Sequence, residues 1–492
     1  MNVRVRYAPS PTGLQHIGGV RTALFNYFFA KSQGGRFILR IEDTDQTRFS
    51  PESLQDIYDT FDWLGIREDE GPRNGGDFGP YIQSERLEKY RIAAEHLVKE
   101  GQAYHCFCSP ERLETVRQEQ VKAKSSNQGY DRACRNLSPD EIEKKHAQGM
   151  SSVIRLKVPL EGETSFSDVV LGTVVRKNSD VNPDPVILKS DGYPTYHLAN
   201  VIDDHEMAIT HIMRAQEWIP SGPLHVILYK AFGWTPPIYA HLPMVMGSDG
   251  QKLSKRHGST SLVDFRKQGY LPEAIINYIS LLGWSFDSER EFFSRQELET
   301  LFYIEGLQKS PAVFDYKKLR WFNGHYIRNL TDSMLSVAIL PSLVDSGLVS
   351  STPSKSEVEI IEQSLPLARE RLVLLNEAPE VIGFLFKEEL DYETSALVPK
   401  GLNEQQTREV LGKIANEIDN LLNGSPEDAE AWFHETAEKE GRKLGQLMMP
   451  ARIAITGTKA SPPLIPSIRL LGREKSVTRL EQAQAKLAPI GD

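Results

Sequence analysis

Residues 3–41 read VRVRYAPSPTGLQHIGGVRTALFNYFFAKSQGGRFILRI. The alternation in Val3–Tyr7 predicts a strand, the apolar run ALFNYFFA within Gly18–Ser32 predicts a helix, and Arg36–Ile41 predicts a second strand. Two strands that are joined through a helix by short connections run parallel in one sheet. We therefore predict an α/β fold, a Rossmann-like doubly wound parallel sheet, for the first part of the chain.

The chain has 492 residues, too many for one compact core, so we expect several domains. The secondary-structure pattern also changes beyond this first stretch. Short strands at Val153–Val158 and Val169–Arg176 predict an α+β insertion, and Pro185–Lys189 marks the return of the α/β pattern. We predict five segments: a first half of the α/β domain (1–105), the insertion (106–184), a second half of the α/β domain (185–260), a helical domain (261–330) and an all-helical C-terminal module with two subdomains (331–492).

Composition limits the class of protein. The chain has three cysteines, no signal-peptide pattern and no apolar run of the ~20 residues that span a bilayer, so we expect a cytoplasmic protein without a membrane partner. The net charge is −10, yet residues 441–492 contain nine basic and three acidic residues. A local basic face can bind phosphates on an acidic molecule. A solvated basic helix would give the same pattern, so charge alone leaves both interpretations open.

Two motifs carry candidate chemistry. In Pro9–Leu24, a strand leads through a Gly/Pro-rich turn into a helix, where free backbone N–H groups would attract phosphate and His16 could donate to phosphate oxygens. In Gly247–Ser259, the lysines Lys252 and Lys255 lie in a Gly/Ser loop that suits transient clamping of a triphosphate. For either motif alone, a glycine-capped turn or a solvated basic turn is the commoner explanation.

Together, the two motifs carry a family resemblance. HIGG at His16–Gly19 and KLSKR at Lys252–Arg256 resemble the signature motifs of class I aminoacyl-tRNA synthetases. The flanking text resembles the glutamyl branch in APSPTG (Ala8–Gly13), RFILRIEDTD (Arg36–Asp45), DEGP (Asp69–Pro72), DGYPTYHLANVIDDH (Asp191–His205), FDYKKLRWFNGHYI (Phe314–Ile327), KLGQ (Lys443–Gln446) and ITG (Ile455–Gly457). The resemblance therefore covers essentially the whole chain.

The resemblance implies a reaction and its partners. Glutamate is activated with ATP and Mg²⁺ to glutamyl-adenylate and is then transferred to the 2′-hydroxyl of the terminal adenosine of tRNA(Glu). It implies that segment 106–184 binds the acceptor end, 261–330 contacts the stem and 331–492 reads the anticodon. It places ATP at His16, Gly18, Gly19, Trp218, Lys252, Ser254 and Lys255, and assigns the catalytic work to His16, Gly18, Lys252 and Lys255.

The chemistry of glutamate also indicates which residue types its binding pocket needs. Glutamate carries two carboxylates and one ammonium, so a selective site needs arginine donors and a carboxylate. Arg6, Ala8 and Ser10 would share one face at the end of the first strand. By resemblance the pocket consists of Arg6, Ala8, Ser10, Glu42, Tyr196, Asn200 and Arg214. Glutamine would leave a buried guanidinium of Arg6 or Arg214 without its anion, at about 2–5 kcal/mol. Which arginine holds which carboxylate stays open.

The three cysteines indicate a candidate metal site. Cys106 and Cys108 form a CxC motif and Cys134 follows, whereas structural zinc usually has four ligands. Many relatives have a histidine two residues after the last cysteine, where this chain has Asn136. Tyr130 matches a tyrosine ligand in a shorter relative. We therefore expect Zn²⁺ at Cys106, Cys108, Tyr130 and Cys134, with three reduced thiols in a metal-free insertion as the alternative.

The resemblance also suggests tRNA contacts. By approximate alignment, Arg371 matches an arginine that reads the third anticodon base in enzymes that charge glutamate tRNA but not glutamine tRNA, and Arg48 is a candidate contact to the acceptor end. We expect a monomer that binds no DNA. The alternatives are an enzyme that also charges tRNA(Gln), a non-catalytic tRNA-binding paralogue, a short tRNA-modifying relative without the helical half, and a glutaminyl enzyme whose C-terminal half would form β-barrels.

Overall fold

A computed structural model describes residues 2–124, 129–459 and 461–487. Within them the chain forms two compact units. The first consists of the chain up to Phe265 together with Ile275–Asp315, and the second consists of Arg266–Ala274 together with the chain from Tyr316 onward. Residues 125–128 of the predicted insertion and 488–492 of the predicted C-terminal module lie outside the described residues.

The strands of the described chain belong to the first unit. They are β1 (Arg4–Tyr7), β2 (Arg36–Leu39), β3 (Ala103–Cys106), β4 (Val153–Leu156), β5 (Glu163–Asp168), β6 (Gly172–Lys177), β7 (Val186–Leu188), β8 (His211–Ala215), β9 (Ile238–Leu242), β10 (Val245–Met246) and β11 (Ala312–Val313). Parallel pairs join β1 to β2, β8 to β9 and β9 to β5. The Thr210 N–H donates to the Arg4 carbonyl (2.9 Å), which brings the start of β8 beside β1.

Helices connect these strands, as the doubly wound prediction requires. They are α1 (Ile17–Ser32), α2 (Pro51–Leu64), α3 (Leu87–Lys99), α4 (Pro110–Lys122), α5 (Pro139–Ala147), α6 (Tyr196–Glu206), α7 (Gly222–Ala231), α8 (Leu262–Lys267), α9 (Pro272–Ser280) and α10 (Arg295–Leu301). The side chains of Phe25 and Phe28 on α1 are fully buried. The first helix is therefore anchored by apolar packing.

The sheet partners differ from the predicted segment boundaries. The strand predicted at Val169–Arg176 begins at Gly172, because residues 169–171 form a turn after β5, a strand that was not predicted. The β5–β6 hairpin pairs with β9, whereas β7 pairs with β4 and thus with β3. The boundary at 184/185 therefore separates strands from their actual partners. A local pattern identifies a strand but leaves its distant partner open.

The described residues of the second unit form helices joined by turns and loops, without strands, as predicted for 331–492. The segment predicted as a helical domain, 261–330, is instead divided between the two units and contains β11. Its helices are α11 (Tyr316–Arg328), α12 (Asp332–Asp345), α13 (Lys355–Arg371), α14 (Ala378–Ile382), α15 (Thr394–Leu397), α16 (Glu404–Asn416), α17 (Ile418–Asn423), α18 (Pro426–Lys439), α19 (Leu444–Thr456) and α20 (Leu464–Lys486). A kink at Gly472, whose φ is 75°, divides α20. In the described chain, none of the helices combines the length and apolar character needed to cross a membrane.

Candidate active site

A cavity of about 810 Å³ lies in the first unit, where β1 and β8 end and α1 begins. Ligands collect at such strand ends in open α/β sheets. Its walls include most of the residues that the sequence selected: Arg6, Ala8, His16, Gly18, Gly19, Glu42, Tyr196, Asn200, Arg214, Trp218, Lys252, Ser254 and Lys255. Ser10 is exposed and does not line the cavity. The two motifs, which are more than 200 residues apart in the sequence, thus face one space.

His16 caps the first helix. Its Nδ1 accepts from the N–H groups of Gly18 (3.2 Å) and Gly19 (3.4 Å), so the expectation that these donors are free is wrong in this structure. Because Nδ1 accepts, the proton of the neutral ring lies on Nε2, which remains a donor for a ligand. Burial, and then the positive charge of Lys252, lower the pKa of His16 and favour this neutral form.

Gly19 is required by a close approach. A Cβ at this position would lie 2.9 Å from the hydroxyl oxygen of Tyr7. That hydroxyl donates to Gln15 Oε1 (2.6 Å) and is held in place. At Gly18 the nearest atoms are those of the His16 ring, at 3.3 Å. Gly19 therefore lets the helix begin beside Tyr7. Gly18 leaves the backbone at the cavity wall without a side chain.

The lysine loop follows β10. The Leu253 N–H donates to the Val245 carbonyl (2.9 Å), which ties the loop to the strand. Lys252 Nζ lies 2.5 Å from Glu217 Oε2, and the two side chains are 63% and 48% exposed. Exposed ion pairs contribute roughly 0–1 kcal/mol. Lys252 can therefore leave Glu217 for a more highly charged anion at little cost.

Arg6 is already paired with a carboxylate. Its Nε and Nη2 donate to the two oxygens of buried Asp204 (2.9 and 3.2 Å), and Arg40 Nη1 donates to the same carboxylate (2.7 Å). The expectation that Arg6 depends on the substrate for its anion is therefore wrong, because Asp204 supplies one. Within the described residues, Nη1 of Arg6 makes no hydrogen bond.

Arg214 differs from Arg6 in its partners. Its Nε donates to His241 Nε2 (3.0 Å), its Nη1 donates to the Tyr196 hydroxyl (3.2 Å), and its Nη2 donates to the Trp218 carbonyl (3.3 Å). All three partners are neutral, and no carboxylate in the described chain lies within 4.0 Å of this guanidinium. Arg214 is 5% exposed. It is therefore a buried cation without a protein anion, which is costly unless a ligand supplies one.

Glu42 and Asn200 belong to the network around Arg40. Glu42 Oε1 accepts from Arg40 Nη2 (2.9 Å). In the amide orientation that satisfies both groups, Asn200 donates to Asp204 Oδ2 (3.3 Å) and accepts from Arg40 Nη2 (3.1 Å). Burial raises the pKa of Glu42, and the charge of Arg40 opposes that rise. The wall therefore presents a carboxylate that a substrate cation would stabilise in its charged form.

Sequence reasoning missed the supporting residues. Arg40 and Asp204 hold Arg6 and Glu42, and His225, His241 and Asp168 lie behind Arg214. One signal was present in the sequence, because Arg40 lies in a predicted strand and Asp204 in a predicted helix. Charged residues within such largely apolar elements need partners when they are buried. The identity of each partner depends on tertiary contacts.

The cysteine cluster is assembled as expected. The sulfur atoms of Cys106, Cys108 and Cys134 lie within 4.8 Å of one another, and the Cys108 and Cys134 sulfurs are 3.6 Å apart. The Tyr130 hydroxyl lies 3.2 Å from the Cys106 sulfur and 3.6 Å from the Cys108 sulfur. Zn–S bonds of about 2.3 Å in a tetrahedron put the sulfurs roughly 3.8 Å apart. The four side chains therefore fit a zinc ion.

The predicted tRNA contacts lie on the surface. Arg48 is exposed and its Nε lies 2.6 Å from Asp45 Oδ2, an ion pair that contributes little stability. Arg371 is exposed at the last residue of α13. Two residues earlier, Arg369 instead donates to the carbonyl of Arg328 (3.0 Å) and supports the fold. Arg48 and Arg371 are thus accessible to a large partner.

Comparison with protein families gives two matches. Residues 2–321 match the model described as tRNA synthetases class I (E and Q), catalytic domain. Residues 331–484 match the model described as an anticodon binding domain. The first match covers more than half of the chain and includes every residue that lines the cavity.

Curated relatives and solved structures agree with these models. The chain is 52% identical to the glutamate–tRNA ligase of Treponema denticola, over 99% of this chain and 100% of the relative. It is 52% identical to the glutamate–tRNA ligase of Borreliella burgdorferi, over 98% and 99%. A crystal structure of a glutamate tRNA ligase from Elizabethkingia meningosepticum, in complex with its amino acid, superposes with a TM-score of 0.87 at 34% identity and covers 99% of this chain and 100% of that one.

Proposed function

The chain belongs to the class I tRNA synthetases of the glutamate and glutamine type, and from this membership we propose the residue roles by which it acts as a glutamate–tRNA ligase. The observation that carries the proposal is one cavity that contains His16, the lysine loop and the unpaired guanidinium of Arg214. The first two suit a triphosphate, and the third suits an anionic amino acid. Full-length relatives at 52% identity carry the same activity in their names.

The charge of the amino-acid pocket matches glutamate. Arg6 and Arg40 are paired with the carboxylates of Asp204 and Glu42, and Arg40 also lies 3.7 Å from Asp203, whereas the guanidinium of Arg214 has no carboxylate within 4.0 Å in the described chain. Glutamate has one negative charge in excess, whereas glutamine is neutral. We assign the side-chain carboxylate of glutamate to Arg214, because that cation has no carboxylate partner among the described residues. Glu42 is assigned to the ammonium group, and Ala8, Tyr196 and Asn200 line the remainder.

The nucleotide occupies the other part of the cavity in this proposal. His16 Nε2–H donates to the phosphates, and Lys252 and Lys255 close on them after Lys252 leaves Glu217. Trp218, which is 40% exposed at the cavity wall, offers a ring face to the adenine. Mg²⁺ enters with ATP as part of the substrate. Gly18, Gly19 and Ser254 line the approach to the triphosphate.

The reaction has two displacement steps. An oxygen of the glutamate α-carboxylate attacks the α-phosphorus of ATP, and the bond to pyrophosphate breaks. The 2′-hydroxyl of the terminal tRNA adenosine then attacks the acyl carbon of glutamyl-adenylate, and AMP leaves. The protein contributes positioning and donors that stabilise phosphate charge, as phosphoryl chemistry of this kind requires.

The helical unit is proposed to read the anticodon, in agreement with its family match. Loop bases are recognised by stacking and by hydrogen bonds to their edges. The exposed guanidinium of Arg371 is suited to this, and we propose that it favours tRNA(Glu) over tRNA(Gln). Arg48 is proposed to contact the acceptor end. The reaction uses cellular ATP and tRNA, so we place the enzyme in the cytoplasm, as a monomer.

ATP–pyrophosphate exchange followed by tRNA charging tests these assignments. We expect exchange with glutamate and bound tRNA, exchange with glutamine that is weaker by about 100-fold or more because a buried charge stays unpaired, and charging of tRNA(Glu) in preference to tRNA(Gln). Equal charging of both tRNAs would reject the role of Arg371. Absence of exchange under every condition would identify a non-catalytic paralogue instead.

We propose zinc at Cys106, Cys108, Tyr130 and Cys134. Bound zinc would be structural, because all four tetrahedral positions are taken by protein donors. Burial raises the pKa of Cys108 to about 11, so its thiolate form needs a cation. Burial has the same effect on Cys106, but the hydrogen bonds with Tyr130, with the Cys108 backbone and with Arg155, together with the charge of Arg155, outweigh it, and the pKa of Cys106 is lowered.

Metal analysis of protein purified without chelator should give close to one zinc per chain, because a structural site stays nearly filled. Less than about 0.2 zinc per chain would contradict the site. The Cys134→Ser variant serves as the comparison and should lose the metal. Its exchange activity should fall less than its zinc content, because the cluster does not line the active-site cavity.

A further inference from the structure

Arg214 is held from behind by a chain of buried side chains that does not line the cavity. Its Nε donates to His241 Nε2 (3.0 Å), and His241 Nδ1 lies 2.6 Å from Asp168 Oδ2. The side chains of Asp168 and His241 are fully buried, with exposures of 0%. Neither residue is among those that line the active-site cavity.

The direction of each hydrogen bond in this chain is determined. A guanidinium only donates, so His241 Nε2 must accept. The ring proton is therefore on Nδ1 and is donated to the Asp168 carboxylate. Burial lowers the pKa of His241 and the nearby charge of Arg214 also lowers it, although Asp168 opposes the change, so the ring is neutral at neutral pH. Asp168 thus selects the one tautomer that Arg214 can use.

A second imidazole meets the same guanidinium. Arg214 Nη1 lies 3.4 Å from His225 Nδ1, and His225 Nε2 lies 3.1 Å from His197 Nδ1. Burial lowers the pKa of His225 well below its usual value, so this ring too is neutral and can accept from the guanidinium. The guanidinium is therefore oriented by neutral acceptors, which take four of its five N–H groups and leave its charge uncompensated. The second N–H of Nη2 makes no hydrogen bond within the described residues.

We propose that Asp168 and His241 are positioning residues for substrate selection. They fix the orientation of Arg214 through a tautomer-specific hydrogen bond and keep its charge available for the side-chain carboxylate of the amino acid. A carboxylate in place of His241 would hold the guanidinium equally well but would neutralise it. The inference rests on the proposed assignment of Arg214 to that carboxylate.

Two replacements of His241 test the hydrogen bond. His241→Phe keeps a planar ring and removes the acceptor, whereas His241→Gln can present Oε1 to Arg214 Nε. We expect His241→Phe to raise KM for glutamate about 10- to 100-fold, by analogy with the loss that follows removal of a partner that orients a metal ligand. KM for ATP and kcat at saturating glutamate should stay within about threefold, and His241→Gln should recover most of the loss.

Asp168→Asn tests the tautomer separately. An asparagine amide can donate to His241 Nδ1, which moves the ring proton to Nε2. Two N–H donors, Nε2–H of His241 and Nε–H of Arg214, would then face each other and the hydrogen bond would be lost. We expect Asp168→Asn to raise KM for glutamate in the wild-type background. Added to His241→Gln, the same substitution should change KM for glutamate less than threefold, because a glutamine side chain has no tautomer for Asp168 to select. Thermal unfolding midpoints are measured for all variants to identify loss of folding.

The outcomes separate the inference from the assignment on which it rests. If Asp168→Asn has the same effect in both backgrounds, or if His241→Phe and His241→Gln are equally impaired, the residues act only on the fold and the inference is overturned. If the Arg214→Ala variant itself leaves KM for glutamate unchanged, the assignment of Arg214 fails first. A lower unfolding midpoint, together with similar rises in KM for ATP and KM for glutamate, would also count against positioning.

Discussion

Arg214→Ala is expected to lower kcat/KM for glutamate by roughly 30- to 5,000-fold, which corresponds to about 2–5 kcal/mol for a buried charge that loses its partner. In the wild-type chain this guanidinium has only neutral hydrogen-bonding partners in the described part of the structure. The substrate carboxylate is therefore its single proposed anion. Removal of the side chain removes that interaction and leaves the acceptors His241 and Tyr196 without a donor.

The measurement is ATP–pyrophosphate exchange with bound tRNA, with glutamate and ATP varied separately. KM for ATP should stay within about twofold, because the proposed position of the phosphates is at His16 and the lysine loop. Arg91→Ala is the matched control, since Arg91 is 55% exposed in an ion pair with Glu88 on the same helix. A glutamate KM equal to that of the wild type would refute the assignment of Arg214.

The same experiment on Arg6 would be harder to interpret. Arg6→Ala is also expected to abolish most glutamate activation, but among the described residues Asp204 would then keep only Arg40 as a paired cation. A buried carboxylate that loses one of two cations destabilises the fold as well as the pocket. Arg214, which neutralises no protein group, separates substrate binding from stability more cleanly.

Lys252→Ala is expected to lower kcat about 100- to 1,000-fold, the usual effect of removing one donor that stabilises charge in the transition state. The side chain is 63% exposed and pairs with Glu217 in this structure. Its removal should therefore leave the thermal unfolding midpoint almost unchanged. KM for glutamate should also change little, because Lys252 is proposed to contact the nucleotide and not the amino acid.

Two further variants make the Lys252 result specific. Arg256→Ala removes a neighbouring cation that is also 63% exposed and pairs with Asp249, so it controls for general loss of positive charge. Glu217→Gln releases Lys252 without removing it, and we expect kcat within about threefold of the wild type. If Arg256→Ala and Lys252→Ala lower kcat equally, a diffuse basic loop rather than a defined lysine stabilises the phosphates.

Local sequence patterns identified the first elements of the fold, whereas the chemistry of the two motifs stays a prediction. Val3–Tyr7, Gly18–Ser32 and Arg36–Ile41 were predicted within one to two residues of β1, α1 and β2. Periodicity and helix-start signals are local properties, so they are legible without a structure. The same holds for the helical C-terminal unit. The family resemblance, which supplied the glutamate and nucleotide residues, also depends on sequence alone.

Partnerships between distant residues depended on the fold. The pairing of β7 with β4, the neutralisation of Arg6 by Asp204 and the capping of Gly18 by His16 each join groups whose own sequence allows several partners. Charge and hydrogen bonding act over a few ångströms in space, regardless of separation along the chain. Residue types therefore predicted that the pocket needs cations, and only the folded chain showed that Arg6 already has its anion while Arg214 has none among the described residues.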